Sequence, residues 1–306
     1  MKKFYLQKKN HNGLFIVLLV ISMIFWGANW ISVKRIIDYS HIQFLTFVRL
    51  FVSTIFYLPL MLLFKQSFKI SLKQFFIILI SSIVLVFYYQ AMFGGLKYGL
   101  AGYGGILVTT LIPIFTYLYT LIFHKEKPSF RECIALFLGF AGGLIILKFW
   151  NLSFESIMLG GNIFFLISAM LWGLLTLNSQ KVQKDMTVWV YSFYLHLFAS
   201  FFQFPFTVVH IPAHLFSFDS VFWLNVIYIT AIATNFANTV YFYASSKIGS
   251  QKASSFIFVV PVSAMFSAWI FLNEKPVATT LLGGALAILA VYLINIWKMK
   301  SIQKTD

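Results

Sequence analysis

The chain has 306 residues, 60% of them hydrophobic and 10% charged, with a net charge of +15 and a mean hydropathy of +0.86. A soluble domain carries about 25% charged residues, so these figures exclude an ordinary water-soluble enzyme. They also exclude a nucleic-acid binder, because the basic residues fall in short clusters between apolar blocks of about 20 residues, the length that crosses a bilayer as a helix.

The blocks predict ten transmembrane helices, at 14–33, 44–64, 72–93, 99–122, 131–148, 158–179, 188–209, 221–245, 252–272 and 278–297. The first follows Lys2, Lys3, Lys8 and Lys9 as a signal peptide would, but it runs to Val33 without a small-residue cleavage site and reads as a retained helix. The third and fourth are separated only by Gly94, Gly95, Leu96, Lys97 and Tyr98. With ten spans, 17 Lys and Arg residues lie on the side of the N-terminus and 5 on the other, Arg49 being inside the second span. This bias predicts a multi-pass protein of a cytoplasmic (inner) membrane with both termini in the cytoplasm. Cys133 is the single cysteine, so no internal disulfide can form.

The chain repeats itself. Trp26-Gly27 returns as Trp172-Gly173 and Pro59 as Pro205, both at an offset of 146. Lys97-x-Gly99 returns as Lys247-x-Gly249 at 150, while Pro113 returns as Pro261 and Glu126-Lys127-Pro128 as Glu274-Lys275-Pro276 at 148. Five echoes in order at nearly one offset mark an internal duplication. Each copy holds five spans, and an odd number reverses direction in the membrane, so the second copy is inverted. The fold class expected is an all-α integral membrane protein with ten transmembrane helices in two inverted five-helix repeats. Its parts are a basic tail at 1–13, repeats at 14–148 and 149–297, and a second basic tail at 298–306. In such architectures the solute site lies near the midplane at the repeat interface, and rocking of one unit against the other gives alternating access.

Several motifs extend this reading: WGANW (26–30), GLKYGLAGYGGILVTTLIPIFTYLYTLIFHKEKP (95–128), ASSKIGSQKASSFIFVVPVSAMFSAWIFLNEKP (244–276), and the pairs Gly142-Gly143 and Gly283-Gly284. With these motifs the chain resembles the EamA-type transporters of the drug/metabolite transporter superfamily over nearly its whole length. The resemblance implies a carrier of small organic solutes, favouring export of amino acids or related metabolites. Uptake or exchange of S-adenosylmethionine or nucleotide-type solutes is the alternative. The second repeat has Leu174-Leu175-Thr176 where the first has Ala28-Asn29-Trp30, so the two need not share equally in a site.

Candidate substrate-binding residues are the polar and aromatic side chains at depth. Trp26, Asn29 and Trp30 share one helix face, and Trp172 is the echo of Trp26. Tyr89 and Gln90 group with Phe93; Asn235, Asn238 and Tyr241 step by three. Amides orient a solute and aromatic planes give contact area; the same amides also serve simply as hydrogen bonds between helices. Arg49 is the one charge well inside a span. It either anchors an anionic or carboxylate-bearing solute, bonds backbone carbonyls, or snorkels outward. His196 is the one group at depth that titrates near neutrality, and a plain helix contact is its simpler role. Pro59, Pro113, Pro205 and Pro261 would kink their helices around a central cavity. Gly104, Gly105, Ser254 and Ser255 would allow close approach there.

No phosphate loop and no metal-ligand spacing occurs in the sequence, so neither a cofactor nor a metal is expected. All eight acidic residues fall in loops, at span edges or in tails, which argues against a carboxylate proton relay. A membrane-embedded lipid-modifying enzyme is the rival of another class, with His210, His214 and Asp219 as its residues; no enzyme is expected. The partners are a small-molecule solute and the lipid bilayer, with no nucleic acid; a homodimer is left open.

Overall fold

The computed structural model describes residues 2–99, 101–151, 161–272 and 278–295. Ten helices occur among them, and each predicted span falls on one. These are α1 (Lys2–Ile36), α2 (Ile42–Leu63), α3 (Leu72–Tyr98), α4 (Ala101–Tyr119, continued by a π-helical turn Thr120–His124) and α5 (Phe130–Ile146). The second five are α6 (Asn162–Val182), α7 (Val188–Thr207), α8 (Ser220–Ile248), α9 (Ser250–Ser255, a 3-10 turn Phe256–Phe258, then Val259–Leu272) and α10 (Ala278–Asn295). No strand occurs among the described residues. Eight helices are long and apolar enough as unbroken helices to cross a bilayer; α5 has 17 residues and α9 is interrupted. The second Glu-Lys-Pro, Glu155, the start of the sixth predicted span, the end of the tenth and the tail 298–306 lie outside the described residues.

Helix starts are set by side chains that satisfy the free N–H groups of the first turn. Ser71 with Gln74 and Ser129 with Glu132 form reciprocal capping boxes on α3 and α5. Thr187 caps α7 and Asp219 caps α8. The turn between α8 and α9 is made by Gly249 at φ 91°, which a residue with a side chain enters only with strain.

The bundle is held mainly by contacts between the repeats. α5 packs on α10 and α2 on α7; α1 packs on α9 as α6 does on α4; α1 packs on α8 as α6 does on α3; and α2 packs on α8 as α7 does on α3. Exchanging the halves (α1 with α6, and so on to α5 with α10) returns the same set of pairings. The duplication read in the sequence is thus a two-fold relation in the packing.

The repeated Trp-Gly explains itself at this level. A Cβ on Gly27 would collide with Ser263 and lie 2.6 Å from the Ala264 nitrogen of α9. A Cβ on Gly173 would lie 3.2 Å from the Phe115 Cβ and 3.3 Å from the Thr116 nitrogen of α4. Each glycine therefore seats its helix on the residues two and three past the equivalent proline, Pro261 or Pro113. The partner tryptophans turn inward and meet edge to face, Trp26 to Trp172, with ring centroids 5.1 Å apart. Gly142 and Gly283 cross backbone to backbone in the same manner, joining α5 to α10.

The prolines divide into two pairs. Pro113 and Pro261 are buried within α4 and α9, and Pro261 is the third residue after the 3-10 turn. Pro59 and Pro205 stand instead in the last turns of α2 and α7 and are exposed on the outer surface. That position corrects the expectation that this pair kinks its helices around a central cavity, because a proline so near a helix end has almost no helix beyond it to bend.

Candidate functional site

A cavity lies where both halves meet. It is lined by Trp26, Asn29 and Trp30 of α1, Arg49 of α2, Tyr88 and Tyr89 of α3, Val108, Thr109 and Ile112 of α4, Trp172 of α6 and Asn238 of α8. Trp172 is the eleventh of 21 residues in α6 and Arg49 the eighth of 22 in α2. The cavity therefore extends from mid-helix toward the end at which α1 finishes and α2 begins. The first repeat supplies nine of its eleven lining residues. The asymmetry follows from sequence: Leu175 and Thr176 replace Asn29 and Trp30, and the offset of 146 places Leu195 opposite Arg49.

Arg49 is only 3% exposed, so it does not snorkel. Its Nε donates to the Thr234 hydroxyl at 3.2 Å, its guanidinium lies 4.4 Å from the centroid of the Tyr89 ring, and its Nη1 has no partner. The ring face offers negative quadrupole density to the cation. Thr234 is available because α8 loosens into a π-helical stretch, Tyr228–Phe236, within which the Thr234 hydroxyl reaches back to the Ile229 carbonyl at 2.6 Å. Carbonyls of this stretch are taken up by neighbours. Trp26 Nε1 donates to Ala233 O at 3.0 Å, and the Tyr57 hydroxyl lies 3.3 Å from Asn235 O. Trp26 Nε1 also reaches Asn238 Oδ1 at 3.0 Å, and Asn238 Nδ2 reaches the Tyr89 hydroxyl at 3.5 Å. One polar network so ties α1, α8, α3 and α2 around the cavity.

Seven of the twelve candidate residues line this space: Trp26, Asn29, Trp30, Arg49, Tyr89, Trp172 and Asn238. Five do not. Gln90 donates to Gln203 Oε1 at 2.7 Å, and Gln203 donates on to Gln43, linking α3, α7 and α2. Asn235 donates to the Ser53 carbonyl at 3.0 Å. His196 is fully buried with Nδ1 against the Ser192 carbonyl at 2.8 Å and its ring beside Tyr57. Phe93 is core. Tyr241 stacks behind Trp26 and Trp172, with its hydroxyl 2.9 Å from Thr176. Tyr88, Val108, Thr109 and Ile112 join the site unforeseen. Gly104 and Gly105 press on the Trp30 ring, and it is this close approach that brings the next turn of α4 to the cavity.

The residues of the enzymatic rival are not assembled. Asp219 caps α8 and accepts from the Tyr39 hydroxyl at 2.8 Å; both contacts hold its carboxyl below the usual carboxylate range. His210 stacks on His41 at 3.8 Å between centroids, while His214 meets Phe218 edge-on. Among the described residues no three His, Cys, Asp or Glu side chains gather as metal ligands do.

Comparison with known proteins agrees with this architecture. The sequence model of the EamA-like transporter family matches twice, at residues 13–148 and 159–296. An uncharacterized transporter of Archaeoglobus fulgidus is 25% identical over 284 residues, covering 90% of this chain and 96% of that one. The uncharacterized transporter YoaV of Bacillus subtilis is 26% identical over 287 residues, covering 91% and 96%. A WAT1-related chloroplastic protein of Arabidopsis thaliana is 24% identical, covering 91% of this chain and 68% of that one. A solved crystal structure superposes with a TM-score of 0.77 at 14% identity, covering 94% of this chain and 98% of the other, which speaks for the fold alone. The chain belongs to the EamA-like transporter family, and it is a multi-pass membrane transporter.

Proposed function

We propose that this transporter is a secondary carrier that moves small organic solutes, amino acids or related metabolites, by alternating access through the central cavity. It works outward across a cytoplasmic membrane with both termini inside. The observation that carries the reading is the cavity itself: aromatic walls, a few polar groups and a buried cation, at the seam of two repeats related by an exchange of halves. Its volume is about 20 Å³, room for a water or two. Sites for organic solutes run to roughly 300–1,000 Å³, so helices must part to admit one. Packing that is equivalent under exchange offers two equivalent ways of parting, one toward each side. The buried Pro113 and Pro261, each beside a glycine crossing, are the proposed hinges. The direction of transport and the termini rest on the family resemblance and the Lys/Arg bias.

A second reading concerns coupling. Among the described residues no carboxylate lines the cavity, which favours exchange or facilitated diffusion over proton symport. Proteoliposomes preloaded with radiolabelled amino acids and organic acids test both readings. Efflux that is lost in Trp30→Ala is expected, and solute on the opposite side should accelerate it if the carrier exchanges. Efflux equal to protein-free vesicles for every solute would contradict the carrier reading.

A further inference from the structure

We infer that the solute is an organic monoanion with a flat apolar body and one hydrogen-bond donor, rather than a zwitterion; this rests on the carrier reading and narrows its substrate class from amino acids and related metabolites to the organic acids among the latter. Two residues of the cavity wall carry a buried polar atom without a hydrogen-bond partner: Arg49 at Nη1 and Asn29 at Oδ1. The residues are 3% and 5% exposed. A buried polar atom without a partner is unfavourable, and two such residues on one small space describe the complement of a ligand. Arg49 Nη1 is a cationic donor and calls for an acceptor oxygen with a negative charge. Asn29 Oδ1 is an acceptor and calls for an O–H or N–H.

Charge decides between the solute classes. Among the described residues the guanidinium is the one formal charge on the wall. The described acids stand outside the cavity, Asp38, Glu126 and Asp185 between helices, Glu132 at the start of α5 and Asp219 capping α8. A monoanion leaves the closed site neutral. A zwitterion leaves it at +1 and buries an ammonium group beside a guanidinium, with only an amide oxygen and ring faces to receive it. The flat walls of Trp26, Trp30, Tyr88, Tyr89 and Trp172 suit a planar body, and the hydroxyl of a 2-hydroxy acid supplies the one donor.

Titration calorimetry on the purified full-length chain, with L-3-phenyllactate, L-phenylalanine and phenethylamine as probes, tests this. The first two differ only by a hydroxyl in place of the ammonium. Phenyllactate is expected to bind at least tenfold tighter than phenylalanine, and phenethylamine not at all. Asn29→Asp places a carboxylate on the wall and should reverse the order of the first two. Arg49→Gln should abolish phenyllactate binding. If that variant does not fold, Asn29→Leu removes the acceptor and should weaken phenyllactate about tenfold. Phenylalanine binding as tightly as phenyllactate, or an order unchanged in Asn29→Asp, overturns the inference and leaves the carrier reading standing. Silence of both phenyllactate and the planar hydroxy acid 4-hydroxybenzoate overturns it equally. The carrier reading is judged separately, by the accessibility of the cavity from the two sides of the membrane.

Discussion

Asn235 and Asn238 lie three residues apart on α8, yet one holds α2 in place and the other faces the cavity. The π-helical stretch ends at Phe236, between them. The turn per residue there is not that of an α-helix, so a three-residue step no longer keeps two side chains on one face. Gln90 is a similar case: with Tyr88 and Tyr89 turned to the cavity, its amide is carried round to Gln203. These assignments separate experimentally. Gln90→Leu is expected to cost about 0.6–2 kcal/mol of stability, the worth of a hydrogen bond between membrane helices, and to leave solute affinity unchanged. Asn238→Leu should instead weaken solute binding tenfold or more. Thermal unfolding and titration calorimetry on the same preparations check both. Outside the membrane segments, His41 caps α2 and stacks on His210. Burial first, then His210 and Lys97, lower its pKa from the usual value. The folded state therefore holds fewer protons there than the unfolded one, and stability is lost as pH falls through the ordinary histidine range near 6.5. The melting temperature should drop from pH 8 to pH 5.5, and less so in His41→Asn, which keeps a capping oxygen. Equal drops in the two proteins would remove His41 from the account.

At the scale of the helix, the glycines and prolines mark where elements touch. Gly27→Ala sets a methyl against the α9 backbone and should lower the yield of folded protein sharply. Gly173→Ala meets contacts of 3.2–3.3 Å that can give by a few tenths of an ångström, and should be milder. Equal effects, measured by size-exclusion recovery and melting temperature, would mean that the two crossings are not as different as their geometry. Pro113→Ala is expected to slow transport, because Pro113 leaves the carbonyl of Thr109, a cavity residue, without its helical donor. Pro59→Ala, in a surface turn, should leave transport near wild type, as measured by efflux. The residue types were legible in the sequence; what each one touches was not. Val108, Thr109 and Ile112 look like any lipid-facing turn until Gly104 and Gly105 are seen against Trp30.

For the whole molecule, hydropathy and the internal echoes carried the fold. Length and apolarity set ten helices, and the Trp-Gly and proline echoes foretold a packing that survives exchange of the halves. The site was legible in part, because departures from the repeat show where symmetry is broken: Asn29, Trp30 and Arg49 stand where the second half has Leu175, Thr176 and Leu195, and all three line the cavity. Gln90, His196 and Asn235 were not separable from them, since an amide or imidazole that bonds two helices has the same composition and depth as one that meets a solute.

Alternating access requires that the cavity be reached from each side in turn. The most direct test is Thr109→Cys in a Cys133→Ser background, labelled with a membrane-impermeant thiol reagent in right-side-out and in inside-out vesicles. Labelling is expected from both sides, with solute suppressing both. Labelling from one side only, whatever the solute, would contradict alternating access.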